Sequence, residues 1–402
     1  MNREPGLLVV GASLAGLRAV EAARRDGWDG PITLLGGEPV LPYDRPPLSK
    51  AVLNSDSPPE LKPFRTEAEL VDGLGVTLAL GERATGLDLA GSVVITDRRS
   101  LGYSRLVIAT GSSPLRLPGV ALSDRILTLR TWHDAVALHQ RLAHGGRLVV
   151  VGAGFIGAEI ASAAARRGLA VTLVEAAEAP LVPALGQTVA RAVAELHAAN
   201  GVNLTTGTKV VSVVEGTHTV TINLDDGRAL PAETVVVGIG SRPEQAWLAG
   251  SGLSLGNGVS CDAALAAAPN VYAAGDVASW PNPAFDGDVM RLEHWTSAAE
   301  QGMWAGRNAV RADDEPFSTV PYFWSDWYDN RIQFLGRYSD DLEIVGNIAE
   351  HRFIALYRRG DRLVGAMGLN SPAMMRLRTA ITDRTDFGAV RDSLLVGPGA
   401  AR

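Results

Sequence analysis

The chain has 402 residues, 46% of them hydrophobic and 20% charged, with a net charge of −7. That apolar fraction builds sizeable cores and excludes global disorder, the length predicts two to three domains, and the acidic balance argues against a nucleic-acid binder, which needs a basic face. A single cysteine, Cys261, excludes a disulfide framework, an internal redox-active cysteine pair and a cysteine-based zinc site, and fits a reducing, cytoplasmic compartment.

The first element is the apolar run Leu7–Val10, read as a buried strand. The turn Gly11-Ala12-Ser13-Leu14-Ala15-Gly16 follows, then an Ala-rich helix predicted over Leu17–Arg25 and closed by Gly27. A second strand, Ile32–Leu35, leads to an acid at Glu38. Met1–Ala23 imitates a secretion signal, with Arg3 ahead of an apolar stretch, but the strand–turn–helix reading accounts for it. Alternation over Val93–Thr96 predicts a small β-meander, and Arg105–Gly111 reads as a strand ending in a tight turn.

The opening unit then recurs. Leu148–Val151 is a strand, Gly152-Ala153-Gly154-Phe155-Ile156-Gly157 a turn, Ala158–Arg167 a helix closed by Gly168, and Val171–Val174 a strand before Glu175. Leu148–Ala165 carries one charge, Glu159, and approaches the length of a membrane span, yet the repeat makes it a strand and helix. Val220–Leu224 suggests a second meander, and Thr234–Val237 leads into Gly238-Ile239-Gly240 as Arg105–Ile108 leads into Ala109-Thr110-Gly111. Val271–Ala274 runs into Gly275-Asp276. Beyond Ser318, aromatic residues concentrate in Tyr322–Tyr328, and strands follow at Ile332–Leu335, Phe353–Tyr357 and Leu363–Gly368, indicating a third, α+β domain.

Both repeats carry the dinucleotide-binding pattern: a strand, a glycine turn, a helix and an acid about 20 residues on. A glycine-tight turn lets backbone approach a pyrophosphate, and the helix N-terminus offers N–H groups and a positive dipole end. The middle glycine of the first copy is Ser13, small enough for close approach. Glu38 and Glu175 are placed to accept bonds from a ribose 2′-hydroxyl, although the run Gly36-Gly37-Glu38 leaves the first register open by one position. Ala176 and Ala177 beside Glu175 offer no cation for a 2′-phosphate, so the second site reads as NAD(H). Two dinucleotide sites in one chain suggest FAD at the first and NADH at the second, with a hydride passing between them. Asp276 on its glycine turn suits a ribityl hydroxyl. Glu159, in an apolar helix, needs a partner.

The segment Pro42-Tyr43-Asp44-Arg45-Pro46-Pro47-Leu48-Ser49-Lys50 resembles the hallmark of the FAD-dependent NADH:ferredoxin reductases that serve cytochromes P450 and Rieske-type dioxygenases. The likeness continues through Tyr272–Asp276, Arg291–Trp295, Glu300-Gln301-Gly302 and Val320–Asp326, nearly the whole chain. It implies a glutathione-reductase-like α/β fold: two Rossmann-like dinucleotide-binding domains, for FAD (1–113 and 240–318) and NAD (114–239), plus a C-terminal α+β domain (319–402). It further implies FAD contacts from Gly11, Ser13, Leu14, Ala15, Gly16, Glu38, Arg45, Lys50, Ala84, Ala109, Thr110, Gly111, Arg130, Gly275, Asp276, Glu293, Trp295 and Trp324. His294 reads as structural or as a backbone-type flavin neighbour. NAD would meet Gly152, Gly154, Phe155, Ile156, Gly157, Glu159, Glu175, Gly238, Ile239 and Gly240. Pro47 and Lys50 would lie beside the flavin ring, with Glu159 facing Lys50 and helping to seat the nicotinamide.

Disulfide reductases of this fold carry a cysteine pair where Pro46–Lys50 stands, and Cys261 lies far from it. Electrons are therefore expected to leave for an external acceptor, a ferredoxin, singly. Ferredoxins are usually acidic, which calls for a locally basic face. From Val320 to Arg402 the chain carries 11 Arg and 10 Asp or Glu, and Arg352, Arg358, Arg359, Arg362, Arg376 and Arg378 are the cations to test. Other readings are a reductase of rubredoxin or of a nitrite-reductase component, or an NADH-responsive flavoprotein of apoptosis-factor type. No metal site, nucleic acid or membrane contact is expected.

Overall fold

A computed structural model describes residues 5–396. Arg3, the basic start of the signal-like reading, lies outside the described residues, as do 397–402 of the expected C-terminal domain. The described chain divides into two compact units. The first holds residues up to Asp44, Leu61–Ser113 and Arg242–Pro321, and the second Arg45–Glu60, Pro114–Ser241 and residues from Tyr322 onward. Among the described residues no helix is long and apolar enough to cross a membrane.

In the first unit a sheet runs in the order Ala266–Ala268, Val271–Ala273, Ser100–Ile108, Gly6–Val10, Ile32–Gly36, Val76–Leu80. From Val271–Ala273 to Val76–Leu80 neighbouring strands are parallel. The Ala84–Asp88 and Val93–Thr96 strands form an antiparallel meander onto Ser100–Ile108. Parallel strands buried on both faces need continuous apolar runs, and Leu7, Leu8, Val9 and Val10 are all buried. The Leu14–Arg25 helix packs on the Trp295–Asn308 helix through small residues. A Cβ at Gly302 would lie 2.3 Å from the Ala15 carbonyl oxygen, and one at Gly306 2.2 Å from that of Ala19.

The second unit repeats the parallel plan in a sheet ordered Asn203–Thr205, Ala170–Val174, Arg147–Val151, Thr234–Val237, Ile126–Leu127. A three-stranded antiparallel sheet, Val210–Glu215, Val220–Leu224 and Ala229–Ala232, closes a core of Val149, Val151, Val220, Ile222 and Val235. Its C-terminal part is a five-stranded antiparallel sheet ordered Tyr322–Trp327, Asn330–Gly336, Arg362–Leu369, Arg352–Arg359, Leu342–Asn347, followed by helices Met374–Thr382 and Phe387–Val396.

Both fingerprint helices start earlier than expected, at Leu14 and Phe155 rather than Leu17 and Ala158. The glycine-rich turn already contains the first helical turn. Gly16 and Gly157 look like breakers but sit inside helices, because a Cβ there would come within 1.9 Å of the Gly11 oxygen and 2.1 Å of the Gly152 oxygen.

Candidate dinucleotide and redox site

The two fingerprints are built alike. Gly11 (φ +123°) and Gly152 (φ +99°) occupy a backbone region costly for other residues, and a Cβ would clash with the carbonyls of Ala109 at 2.0 Å and Gly238 at 2.3 Å. Ala109–Gly111 and Gly238–Gly240 thus meet the glycine turns of their own units, as their parallel strands dictate. Gly154 differs: a Cβ there would meet nothing within 4 Å. It heads the Phe155–Arg166 helix, so the open space lies at a positive helix end. That cradle fits a pyrophosphate.

Glu175 follows the Ala170–Val174 strand, and its carboxylate accepts from the backbone N–H of Ala153 and of Ala177, each at 3.0 Å. Each oxygen keeps a lone pair for a ribose hydroxyl. Ile156 and Ile239, flanking the turn, are exposed apolar side chains. In the first unit, Glu38 accepts from the Tyr43 hydroxyl at 2.7 Å. Ala84 opens the meander strand Ala84–Asp88.

The first unit also brings Gly275-Asp276 to the head of its fingerprint helix, where a Cβ on Gly275 would lie 3.1 Å from the Ala15 Cβ. The Gly275 N–H donates to Gln301 Oε1 at 2.8 Å, and Ser112 Oγ donates to Asp276 Oδ2 at 2.8 Å. Arg291 donates to the Asp276 carbonyl at 3.0 Å and pairs with Glu293 at 2.7 Å. Trp295, first residue of its helix, donates Nε1–H to Asp44 at 2.7 Å. Burial pushes the His294 imidazole down to about 4, against a smaller pull from Asp276, so it is neutral at pH 7 and suits a structural place. Gln301 and Ser112 carry this arrangement, and sequence reasoning gives neither a role, although Gln301 stands in the Glu300-Gln301-Gly302 motif.

In the second unit Lys50, Glu159 and Pro47 come together. Pro46–Ser49 forms a single 3₁₀ turn packed on the Phe155–Arg166 helix. Lys50 Nζ lies 2.7 Å from Glu159 Oε1, with side chains 22% and 4% exposed. Two hydroxyls complete the acid's shell, Ser49 on Oε2 and Ser325 on Oε1. Nothing in the sequence distinguishes either serine, though both stand in segments that carry the family resemblance. Arg167, at the far end of the same helix, donates to the carbonyls of Leu53, at 2.8 Å, and Ser55. One helix thus holds the segment around Lys50 at two points. Arg45 donates to the Arg130 carbonyl at 2.7 Å.

Alternation along Tyr322–Trp327 separates two faces. Phe323, Ser325 and Trp327 share the face toward the Phe155–Arg166 helix, and Phe155 meets the Phe323 ring at 4.7 Å and the Trp327 ring at 6.1 Å. Trp324 lies on the other face, stacked on Tyr322 at 6.0 Å with Arg331 over its ring at 5.9 Å. Of the candidate docking cations, Arg358 is paired with Asp341 at 2.9 Å, while Arg352 and Arg376 are exposed. Burial pushes the Cys261 thiol up to about 12, with Asp262 adding to the effect, which removes it as a redox thiolate. No group of three or more His, Cys, Asp or Glu among the described residues could hold a metal.

Two strand–glycine turn–helix units and a Lys–Glu pair with a buried carboxylate point to a flavin- and nicotinamide-dependent oxidoreductase. Residues 5–302 match the pyridine nucleotide-disulphide oxidoreductase family, and residues 322–392 match the reductase C-terminal family. The chain belongs to the pyridine nucleotide-disulphide oxidoreductases, which use FAD and a nicotinamide nucleotide. It is similar to rhodocoxin reductase of Rhodococcus erythropolis, 34% identical over 91% of this chain and 86% of the relative. It is also similar to the anthranilate 1,2-dioxygenase system ferredoxin–NAD(+) reductase component of Burkholderia cepacia, 35% identical over 92% of each. The crystal structure of the covalent putidaredoxin reductase–putidaredoxin complex superposes with a TM-score of 0.90 at 29% identity, covering 100% of both chains.

Proposed function

We propose that this chain is an NADH:ferredoxin reductase, which takes a hydride from NADH and passes electrons one at a time to an iron–sulfur protein serving a P450 or a Rieske-type oxygenase, in the cytoplasm. Its division into an FAD domain (1–113 and 240–318), an inserted NAD domain (114–239) and a C-terminal domain (319–402) belongs to the same reading. The observation that carries it is the Lys50–Glu159 pair, with Lys50 in the segment where disulfide reductases of this fold keep their cysteines, in a chain whose one thiol is half-buried and pushed toward its protonated form. Bound FAD supplies the exchange between a two-electron donor and a one-electron acceptor.

The chain's residues do the rest. Gly152–Gly157 and Glu175 hold the adenosine and pyrophosphate half of NADH, and the Lys50–Glu159 pair seats the nicotinamide. Gly11–Gly16, Glu38, Ala109–Gly111, Gly275–Asp276, Glu293–Trp295, Arg45, Pro47, Lys50, Arg130 and Trp324 are the residues assigned to FAD. The near whole-length likeness to rhodocoxin reductase and to the ferredoxin reductase component of a dioxygenase system supports the acceptor class. An anaerobic absorbance spectrum before and after NADH, then a panel of [2Fe–2S] ferredoxin, rubredoxin and no acceptor with cytochrome c as reporter, tests it. A yellow protein that NADH bleaches and that turns over fast only with the ferredoxin is the expected result. Absence of FAD, or slow bleaching with NADH-dependent oligomerisation, would overturn it in favour of another class.

A further inference from the structure

We propose that Ser325, backed by Trp327, is the positioning residue that fixes the Glu159 carboxylate and through it the Lys50 ammonium; this rests on the proposed role of that pair in seating the nicotinamide. Trp327 and Ser325 are two positions apart on one strand, so their side chains share a face. The Trp327 Nε1–H donates to Ser325 Oγ at 2.8 Å. With that lone pair engaged, the hydroxyl hydrogen of Ser325 is left to the neighbouring acceptor, Glu159 Oε1. An indole can only donate, so the chain has one direction: Trp327 to Ser325 to Glu159.

The rest of the pocket enforces this order. The Trp327 ring is fully buried, stacked on His197 at 5.3 Å and against Phe155 at 6.1 Å, so its N–H cannot swing away. The next residue, Tyr328, is tied by its backbone N–H to Ser162 Oγ at 2.8 Å, one helical turn beyond Glu159, and by its hydroxyl to His197 at 2.8 Å. Strand and helix are therefore pinned on both sides of Ser325. Lys50 and Ser325 share Oε1, and Ser49 takes Oε2. Without Ser325, Oε1 keeps only the Lys50 ammonium on its flexible stem, and Ser49 on Oε2 is the one hydroxyl left to resist rotation of the carboxylate, which Lys50 follows.

Ser325→Ala removes only the hydroxyl. The adenosine half of NADH is held elsewhere, so the dissociation constant of NADH should stay within about twofold, while flavin reduction at saturating NADH slows roughly tenfold, as misplacement by a fraction of an ångström does. The decisive comparison is a double-mutant cycle. In a Glu159→Gln background, Ser325→Ala should cause no further slowing. Equal slowing in both backgrounds, or none in either, overturns the proposal. A second readout needs no turnover: the indole N–H resonance of Trp327, assigned through Trp327→Phe, should move on Glu159→Gln in the Ser325 protein and stay still in the Ser325→Ala protein. A resonance that ignores Glu159→Gln also overturns it. If Glu159→Gln itself leaves flavin reduction unchanged, the reading of Lys50 and Glu159 fails, while the indole coupling still judges the chain of bonds. Should Ser325→Ala lose FAD, Trp327→Phe keeps an aromatic, though smaller, side chain and deletes the donor. It should slow reduction about threefold, again only when Glu159 is present.

Discussion

Gly154 separates a glycine needed by the protein from one needed by its ligand. Its backbone, φ −70° and ψ −178°, suits any residue, and an added Cβ meets no atom within 4 Å. Gly154→Ala should therefore cost the fold only its helix-cap preference, about 1 kcal/mol. Gly157→Ala, with its Cβ 2.1 Å from the Gly152 oxygen, should cost far more. In the complex the new methyl stands where a pyrophosphate approaches the helix end. Losing one or two charge-assisted N–H bonds to phosphate, at about 1.5–3 kcal/mol each, weakens NADH binding roughly tenfold to a hundredfold or more. Anaerobic stopped-flow reduction against NADH concentration reads the dissociation constant and the limiting rate separately. The constant should rise while the limiting rate stays within about twofold, because the lost contacts hold ground and transition states alike. FAD content and melting midpoint should match the parent. Gly154→Ser should fall between the two, since its hydroxyl can donate to phosphate; Ser13, in the first copy, already stands at this place with φ −127°. Unchanged NADH affinity in Gly154→Ala would refute the assignment of the cradle.

Glu175→Ala with Ala176→Arg frees the N–H groups of Ala153 and Ala177 and adds a cation, so the NADH-over-NADPH preference should fall by about a hundredfold in specificity constant, and an unaltered ratio would place the ribose elsewhere. Gly302→Ala pushes a methyl to 2.3 Å from the Ala15 oxygen, at the head of the first fingerprint helix, and should lower stability by about 1–3 kcal/mol and loosen FAD. A rise in the melting midpoint, as helix propensity alone demands, would contradict the close packing. Burial holds His294 and His197 down to about 4 from 6.5, so each stays neutral in the fold. Their contribution is complete above about 6.5 and is lost as pH falls toward 4, the sign of a base whose folded value is depressed. His294→Gln with His197→Gln should flatten the fall of the melting midpoint across that window, and an unchanged slope would contradict it.

The two strand–glycine turn–helix units were legible because their spacing is fixed and a sequence displays it directly. Helix starts were not, because Gly16 and Gly157 read locally as breakers and only the carbonyls of Gly11 and Gly152 explain them. The need of Glu159 for partners was legible from its apolar neighbours, and the resemblance named Lys50. Ser49 and Ser325 were not, being 110 and 166 residues away and of a type common in any turn. The Tyr322–Trp327 strand was hidden for a similar reason. Its hairpin turns at Tyr328 (φ +49°) and Asp329 (φ +67°), a pair with no glycine. Local rules ask for Asn or Gly there. Contacts to Ser162 and His197, distant in sequence, hold Tyr328 in that conformation.

The Phe155–Arg166 helix joins these strands of argument. Its N-terminal end opens at Gly154 onto free space, and Glu159 follows about 7.5 Å along the axis. The spacing from Phe155 to Glu159, Ser162 and Arg166 is that of one helical face, and each meets the strand or turn of 323–329. Arg167 at its C-terminal end fastens the Leu53 and Ser55 carbonyls, a cation where the helix dipole favours one. A rigid rod thus sets the distance from the open helix end at Gly154 to the Glu159 carboxylate and, through its far end, the place of Lys50. Arg167→Ala, remote from either cradle, should then disturb the Lys50 segment more than NADH affinity. Faster proteolysis within residues 50–60 with little change in NADH dissociation would show it, and the reverse pattern would mean that the segment is held by the Glu159 contacts alone.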